Sequence, residues 1–224
     1  DLVKTETTRR IPVREIVARV LRSPLCWEAF TIHGLGMFFM INFALLWGMP
    51  LMIQGMGLSA AQAGTVLTAF TVTTMLGGPC LAPLSGRTGE NRDLAAALVA
   101  SLHCVAWIIF FASPTSRGFG ALIVLAVIMG LATPVSNFGF DTIREEMPRS
   151  IVASGTGLGN MGGFFTGMIS AQLIGLLLDA AAPDGNYTWG DFRYAWVAAF
   201  ILWGMLLAGL FTSRYYVVRG RRAR

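Results

Sequence analysis

Charge is what this sequence has least of. Asp, Glu, Lys and Arg make up 13% of its residues, against about 25% in a soluble domain, whose surface must be hydrated. No charged residue lies between Leu94 and Ser113 or between Gly118 and Phe140, and no Asp or Glu falls near the middle of any long apolar run. Cysteine is also scarce. Cys26, Cys80 and Cys104 show no C-x-x-C or Cys/His ligand spacing, so neither a disulfide framework nor a zinc site is indicated, and no cofactor or metal is expected. These shortages exclude an ordinary water-soluble globule.

What fills the space is apolar: 54% hydrophobic residues and a mean hydropathy of +0.62. Runs of about 20 apolar residues read as transmembrane helices, since each residue rises about 1.5 Å through a hydrocarbon core of about 30 Å. Six such spans are expected, over residues 25–53, 61–84, 94–112, 120–140, 152–178 and 194–211. Pro50 interrupts the first near its far end, and Gly77, Gly78 and Pro79 weaken the second. None shows the alternation of a barrel strand. The fold expected is an all-α integral membrane bundle of six helices.

Fifteen of the seventeen Lys and Arg residues fall on one side if the N-terminus is cytoplasmic, leaving Arg117 and Arg193 outside. Lys4, Arg9, Arg10, Arg14, Arg19 and Arg22 precede the first span, and Arg214, Arg219, Arg221, Arg222 and Arg224 follow the last. Both termini are therefore expected in the cytoplasm. The basic balance reads as attraction to anionic inner-leaflet lipid, with no nucleic-acid partner. In 1–22 the apolar Val13, Ile16, Val17, Val20 and Leu21 recur at helical spacing among arginines, as in an interfacial linker, with Ser23-Pro24 capping the first spanning helix. The chain opens at Asp1, not Met, and reads as part of a longer protein.

Residues 157–162, GLGNMG, match the G-x-G-x-x-G dinucleotide fingerprint. That loop works only where a strand feeds a tight turn, whereas here mostly apolar or small residues follow for most of a membrane's width. The glycines have another pattern. Gly155, Gly159, Gly163 and Gly167 recur every four residues, a smooth ridge that lets a neighbouring helix approach closely in lipid. Polar stripes mark other spans: Thr65, Thr68 and Thr71 on the second, Thr133, Asn137 and Asp141 on the fourth at four-residue steps, and Asn160 on the fifth. His33 and Asn42 fall on opposite faces of a straight first helix, and mid-depth Asn42 is expected to face the cavity. Amides at membrane depth are costly and line pathways or bind neighbouring helices. His103 is expected as a packing residue. The candidate solute path is Asn42, Thr68, Thr71, Asn137 and Asn160.

Six spans behind a basic linker resemble the C-terminal half of a major facilitator superfamily transporter. The connector APLSGRTGENRD resembles the family's G-x-x-x-D-R-x-G-R-R loop, with Arg87 and Gly89 matching and Ala82, Gly86, Glu90 and Asn91 departing from it. REEMPRS resembles the family's acidic-x-x-Pro connector through Glu145 and Pro148. The resemblance implies a half-domain over 23–213 with a basic cytoplasmic tail over 214–224. Spans one, two, four and five would face a central cavity and spans three and six the lipid, and this half would rock against an N-terminal six-helix partner half. It further implies a cytoplasmic gate of Arg87, Arg92, Asp141, Arg144 and Glu145, a small-molecule solute, and a proton or other coupling ion. A multi-pass place in the plasma membrane, the inner membrane of a bacterium, follows. Two alternatives stand beside it: a membrane scaffold or self-associating half-transporter, and an intramembrane hydrolase with Ser154 or Ser170 as nucleophile. Its base, His33 or His103, would precede the serine in the chain, the reverse of the rhomboid order.

Overall fold

Without water in the bilayer, each backbone N–H and C=O must be paired internally, and helix does this throughout. The computed structural model describes residues 12–223, among which every regular element is helical. The start of the expected linker, with Lys4, Arg9 and Arg10, lies outside the described residues. Its remainder forms α1 (Val13–Leu21). Val13, Val17 and Leu21 are exposed on it, while Val20 is buried. Pro24 opens α2 (Pro24–Met40) at the first helical position, and the Ser23 side chain makes no capping bond. The preset φ of proline and its missing N–H are what suit that position.

The first span does not run straight. After α2 the backbone becomes π-helical over Ile41–Trp47, passes through a single α turn, α3 (Gly48–Pro50), and is π-helical again over Leu51–Gly55. The irregularity thus flanks Pro50 on both sides. A Cβ at Gly48 would sit 2.1 Å from the Phe43 carbonyl oxygen, so the wide turn requires glycine there.

A capping box of Ser59 and Gln62 starts α4 (Ala60–Thr88), which continues through Pro79 and Pro83. The expected weakness at Gly77–Pro79 is instead a contact. A Cβ at Gly77 would lie 2.9 Å from the carbonyl oxygens of Gly130 and Leu131, and one at Gly130 would lie 2.0 Å from Thr73 Oγ1. Gly89 ends α4 at φ 48°, and a 3-10 turn over Gly89–Asn91 leads into α5 (Arg92–Ala112).

The fourth span also divides, into α6 (Gly118–Ala132), a 3-10 segment over Thr133–Asn137, and α7 (Phe138–Glu146). This corrects the expected alignment of Thr133, Asn137 and Asp141. Pro134 lacks the N–H of an α ladder, and a 3-10 turn takes about three residues, so a four-residue step no longer returns to the same face. Thr133 is buried and donates to the Met129 carbonyl oxygen (2.7 Å), while Asn137 is exposed. Two long helices complete the chain, α8 (Val152–Ala181) and α9 (Trp189–Arg222). Residues 214–222, expected as a separate tail, continue α9.

Helix α2 lies at the centre, packed against α8, α9, α7, α5 and the 3-10 segment. Its Phe38 and Phe39 meet Trp107 of α5 and Trp196 of α9 in one aromatic core, with the two tryptophan rings stacked at 5.4 Å. Outward, α5 presents Leu94, Leu98, Leu102, Val105 and Ile109, and α9 presents Tyr194, Val197, Ile201 and Met205. Among the described residues, five helical stretches are long and apolar enough to cross a membrane, one of them Ala60–Ala112, which contains both α4 and α5.

Candidate functional site

The candidate path residues separate into three groups. Asn137 and Asn160 are both exposed. Neither amide is hydrogen-bonded among the described residues, so both donors and acceptors remain open. Asn137 ends the 3-10 segment and lines a groove of about 380 Å³ with Gly78, Ser85, Asp141 and Arg144. Thr68 and Thr71 are exposed too, but their hydroxyls donate to the carbonyls of Gly64 (2.9 Å) and Leu67 (2.8 Å), and Thr65 does the same to Ala61 (2.9 Å). Their protons are committed to their own helix, leaving only lone pairs to offer. Asn42 is not on this surface. It is fully buried, and its Nδ2 donates to the Phe38 carbonyl oxygen at 2.8 Å. It falls at the α-to-π transition, where straight-helix spacing no longer tells which way a residue faces.

The histidines lie inside as well. His33 Nδ1 is 3.2 Å from the Ser136 carbonyl oxygen, and its ring centroid is 4.6 Å from that of Phe140. His103 is on the inner side of α5, 5.0 Å from Phe39 ring to ring, and its Nε2 has no partner among the described residues.

The glycine ridge of α8 meets α2 and its neighbours. A Cβ at Gly163 would lie 3.0 Å from His33 Cδ2 and from Met37 Cβ, and one at Gly167 would lie 2.6 Å from Ile41 Cγ2. At Gly159 the neighbours are Phe140 and Ala29, and at Gly155 they are Met147 and Cys26. The tightest point was not in the four-residue pattern. A Cβ at Gly162 would come within 2.0 Å of the Phe30 carbonyl oxygen. GLGNMG is thus helix interior at a packing seam.

At the end of the bundle carrying the basic loops, four of the five residues expected at a gate form one chain of contacts. The Arg92 guanidinium grips Glu145 with two bonds of 2.6 Å while its Nε donates to the Ser85 carbonyl oxygen at 2.9 Å and the Ser85 hydroxyl at 3.0 Å. That hydroxyl donates to Asp141 Oδ2 at 2.7 Å, and Arg144 sits 3.5 Å from Asp141 Oδ1. Arg87 is exposed with no ion pair among the described residues. Sequence reasoning missed Ser85, the hub, and the second layer. Buried Asp93 pairs with Arg214, which also reaches Asn91, and Arg221 pairs with Glu146. Only Ser85's place inside the APLSGRTG stretch, which forms the last turns of α4, could have signalled it.

The opposite end has its own ties. Arg117 and Arg193 donate to the Phe110 (3.0 Å) and Phe111 (2.8 Å) carbonyls, and the Trp189 indole donates to Ser113 (3.1 Å). Both cations therefore satisfy the last carbonyls of α5, where the helix dipole is negative. In the following loop, a hydrogen bond to Asp179 (2.6 Å) pushes the Tyr187 phenol up from its ordinary range, and bonds from Asn186 hold the Asp184 carboxyl down. Of the cysteines, Cys26 and Cys104 are buried and Cys80 is exposed.

Long apolar helices, apolar outer stripes and polar clusters at both ends define a multi-pass helical membrane protein. The model of one family, the Major Facilitator Superfamily, matches residues 3–171. That is three quarters of the chain, which therefore belongs to the Major Facilitator Superfamily. No curated protein and no solved structure matches it.

Proposed function

We propose that the chain is the C-terminal half of a secondary active transporter that moves a small solute by alternating access, coupled to a proton or another ion. Family membership over most of the chain carries the reading. In it, Ala60–Ala112 makes two passes that turn at Gly89, because 53 residues as one helix would reach about 80 Å, far beyond one bilayer. Six passes put both termini in the cytoplasm by the positive-inside rule, in the plasma membrane of a bacterium. The partner half is another six-helix unit, and the 224-residue length suits one half of the fold.

Asn137 and Asn160 offer the unpaired amides for the solute path, with Thr68 and Thr71 as acceptors. The cluster built on Ser85, Arg92, Asp141 and Glu145 is the cytoplasmic gate, able to part when the halves rock. Nothing favours the scaffold or hydrolase readings. Neither Ser154 nor Ser170 is bonded to a histidine among the described residues.

The test is uptake by the complete protein carrying Asn137→Leu or Asn160→Leu. Losing one hydrogen bond to the solute costs on the order of 1–3 kcal/mol, roughly 5- to 150-fold in affinity, with membrane abundance unchanged. Normal uptake by both variants would remove the path assignment.

A further inference from the structure

Of the buried polar atoms without a partner among the described residues, His33 Nε2 stands out for its position. The residue lies nine positions into α2, about 13 Å from its start, and is 4% exposed. Its ring touches three elements. Nδ1 faces the Ser136 carbonyl in the 3-10 break of the fourth span, one residue before the exposed Asn137. The Phe140 ring of α7 packs against it. Its Cδ2–Nε2 edge lies on Gly163 of α8, where an added Cβ would be 3.0–3.2 Å from both atoms. With Nδ1–H donated to Ser136, Nε2 is left as a lone pair sealed in the α2–α8 seam.

Among the described residues, no charged group is bonded to the ring. Asp141, next to Phe140, is committed to Ser85 and Arg144, and α6 carries no charged residue. Charge on α8 is confined to Asp179, sixteen residues from Gly163, and on α9 none stands between Arg193 and Arg214. On α2 itself Glu28 lies five residues away, and on α5 the titratable groups are Arg92, Asp93, Cys104 and His103, the last packed on Phe39.

We propose that His33 is a proton-binding site of the transport cycle, read through the α2–α8 seam and the Ser136–Asn137 break. A proton on Nε2 in the closed seam would be a buried donor with no acceptor, which is costly. The lone pair takes its proton from water only when α2 and α8 part at Gly163. The imidazolium then holds the seam open, and returning the proton to water lets it close. Protonation and opening are thus linked equilibria, and the break beside Asn137 moves with them. This rests on the carrier reading above for its role in a cycle, but the site itself is testable without a solute.

The experiment uses the complete protein in nanodiscs, with Cys26, Cys80 and Cys104 replaced and Asn160→Cys as reporter. Its labelling rate by a small thiol reagent, corrected for reagent ionisation, is expected to change about fivefold or more across the range of about pH 5–8 in which imidazole titrates. His33→Gln should flatten that profile, and His103→Gln should leave it intact. A merely structural His33 would shift the rate and keep the profile, which would overturn the proposal. Deuterium exchange at the imidazole C2, followed by peptide mass spectrometry in the protein with both histidines intact, provides a measurement without variants at position 33. There His33 should show a titration, and none between pH 4 and 9 would overturn the assignment. If proteoliposomes move no solute while the His33-dependent pH response persists, the carrier reading falls and the proton site stands.

Discussion

At the scale of single residues, the fit between helices is set by missing side chains. Gly162, Gly163 and Gly167 bring α8 onto α2 so closely that an added Cβ would meet a backbone carbonyl, an imidazole or an isoleucine at 2.0–3.0 Å. In lipid, such contact replaces the hydrophobic effect as the force between helices. Gly162→Leu or Gly167→Leu is therefore expected to destabilise the purified protein by on the order of 1–3 kcal/mol through overpacking, read as a lowered Tm in detergent. Gly157→Leu, on the same helix with open space around it, should change Tm little. Equal Tm values for all three would refute the packing account. The four-residue period made the ridge visible in the sequence. Gly162 was not visible, because its partner is a carbonyl of Phe30, and backbone atoms leave no pattern in side chains. Asn42 shows the other limit. Its depth could be counted, but the π-helical turns beginning at Ile41 altered its direction.

At the scale of elements, helices were legible and their irregularities only partly so. Pro50 marked the distorted end of the first span, whereas Pro79 and Pro83 sit inside a continuous α4. Neighbouring helices decide between these outcomes, since they can re-satisfy a freed carbonyl. The charges expected at a gate stood out in the sequence, yet their pairing depends on Ser85, a serine that joins α4, α5 and α7. The two members of the central ion pair should not be equivalent. Arg92 is buried while Glu145 is largely exposed, so solvent screens much of the carboxylate's share. Arg92→Ala is expected to cost on the order of 1–3 kcal/mol, as for hydrogen bonds to a charged group, and Glu145→Gln less than about 1 kcal/mol. Arg92→Lys should not restore the loss, because an ammonium cannot make the two-pronged contact. Thermal unfolding of the three variants measures this, and a larger effect at Glu145 would contradict it.

At the scale of the whole molecule, the proposed topology rests on charge asymmetry and hydropathy, and the two cations that it would leave outside share a local contact. Arg117 and Arg193 both bond carbonyls at the same end of α5. The expected arrangement places the loops at 55–60, 113–118 and 183–192 away from the cytoplasm. Single cysteines there, in a protein lacking the three native ones, should react with an impermeant thiol reagent in intact cells. Labelling at Thr88→Cys with none at Asp184→Cys would reverse the orientation.

Whether the complete protein carries a small solute across the membrane is decided by transport in proteoliposomes. The purified full-length protein would be offered a panel of radiolabelled neutral and anionic small solutes under imposed proton and sodium gradients. At least one solute is expected to accumulate above protein-free vesicles, and Asn137→Leu and Asn160→Leu are each expected to reduce that accumulation. Folded protein that moves none of them under any gradient would contradict the carrier reading.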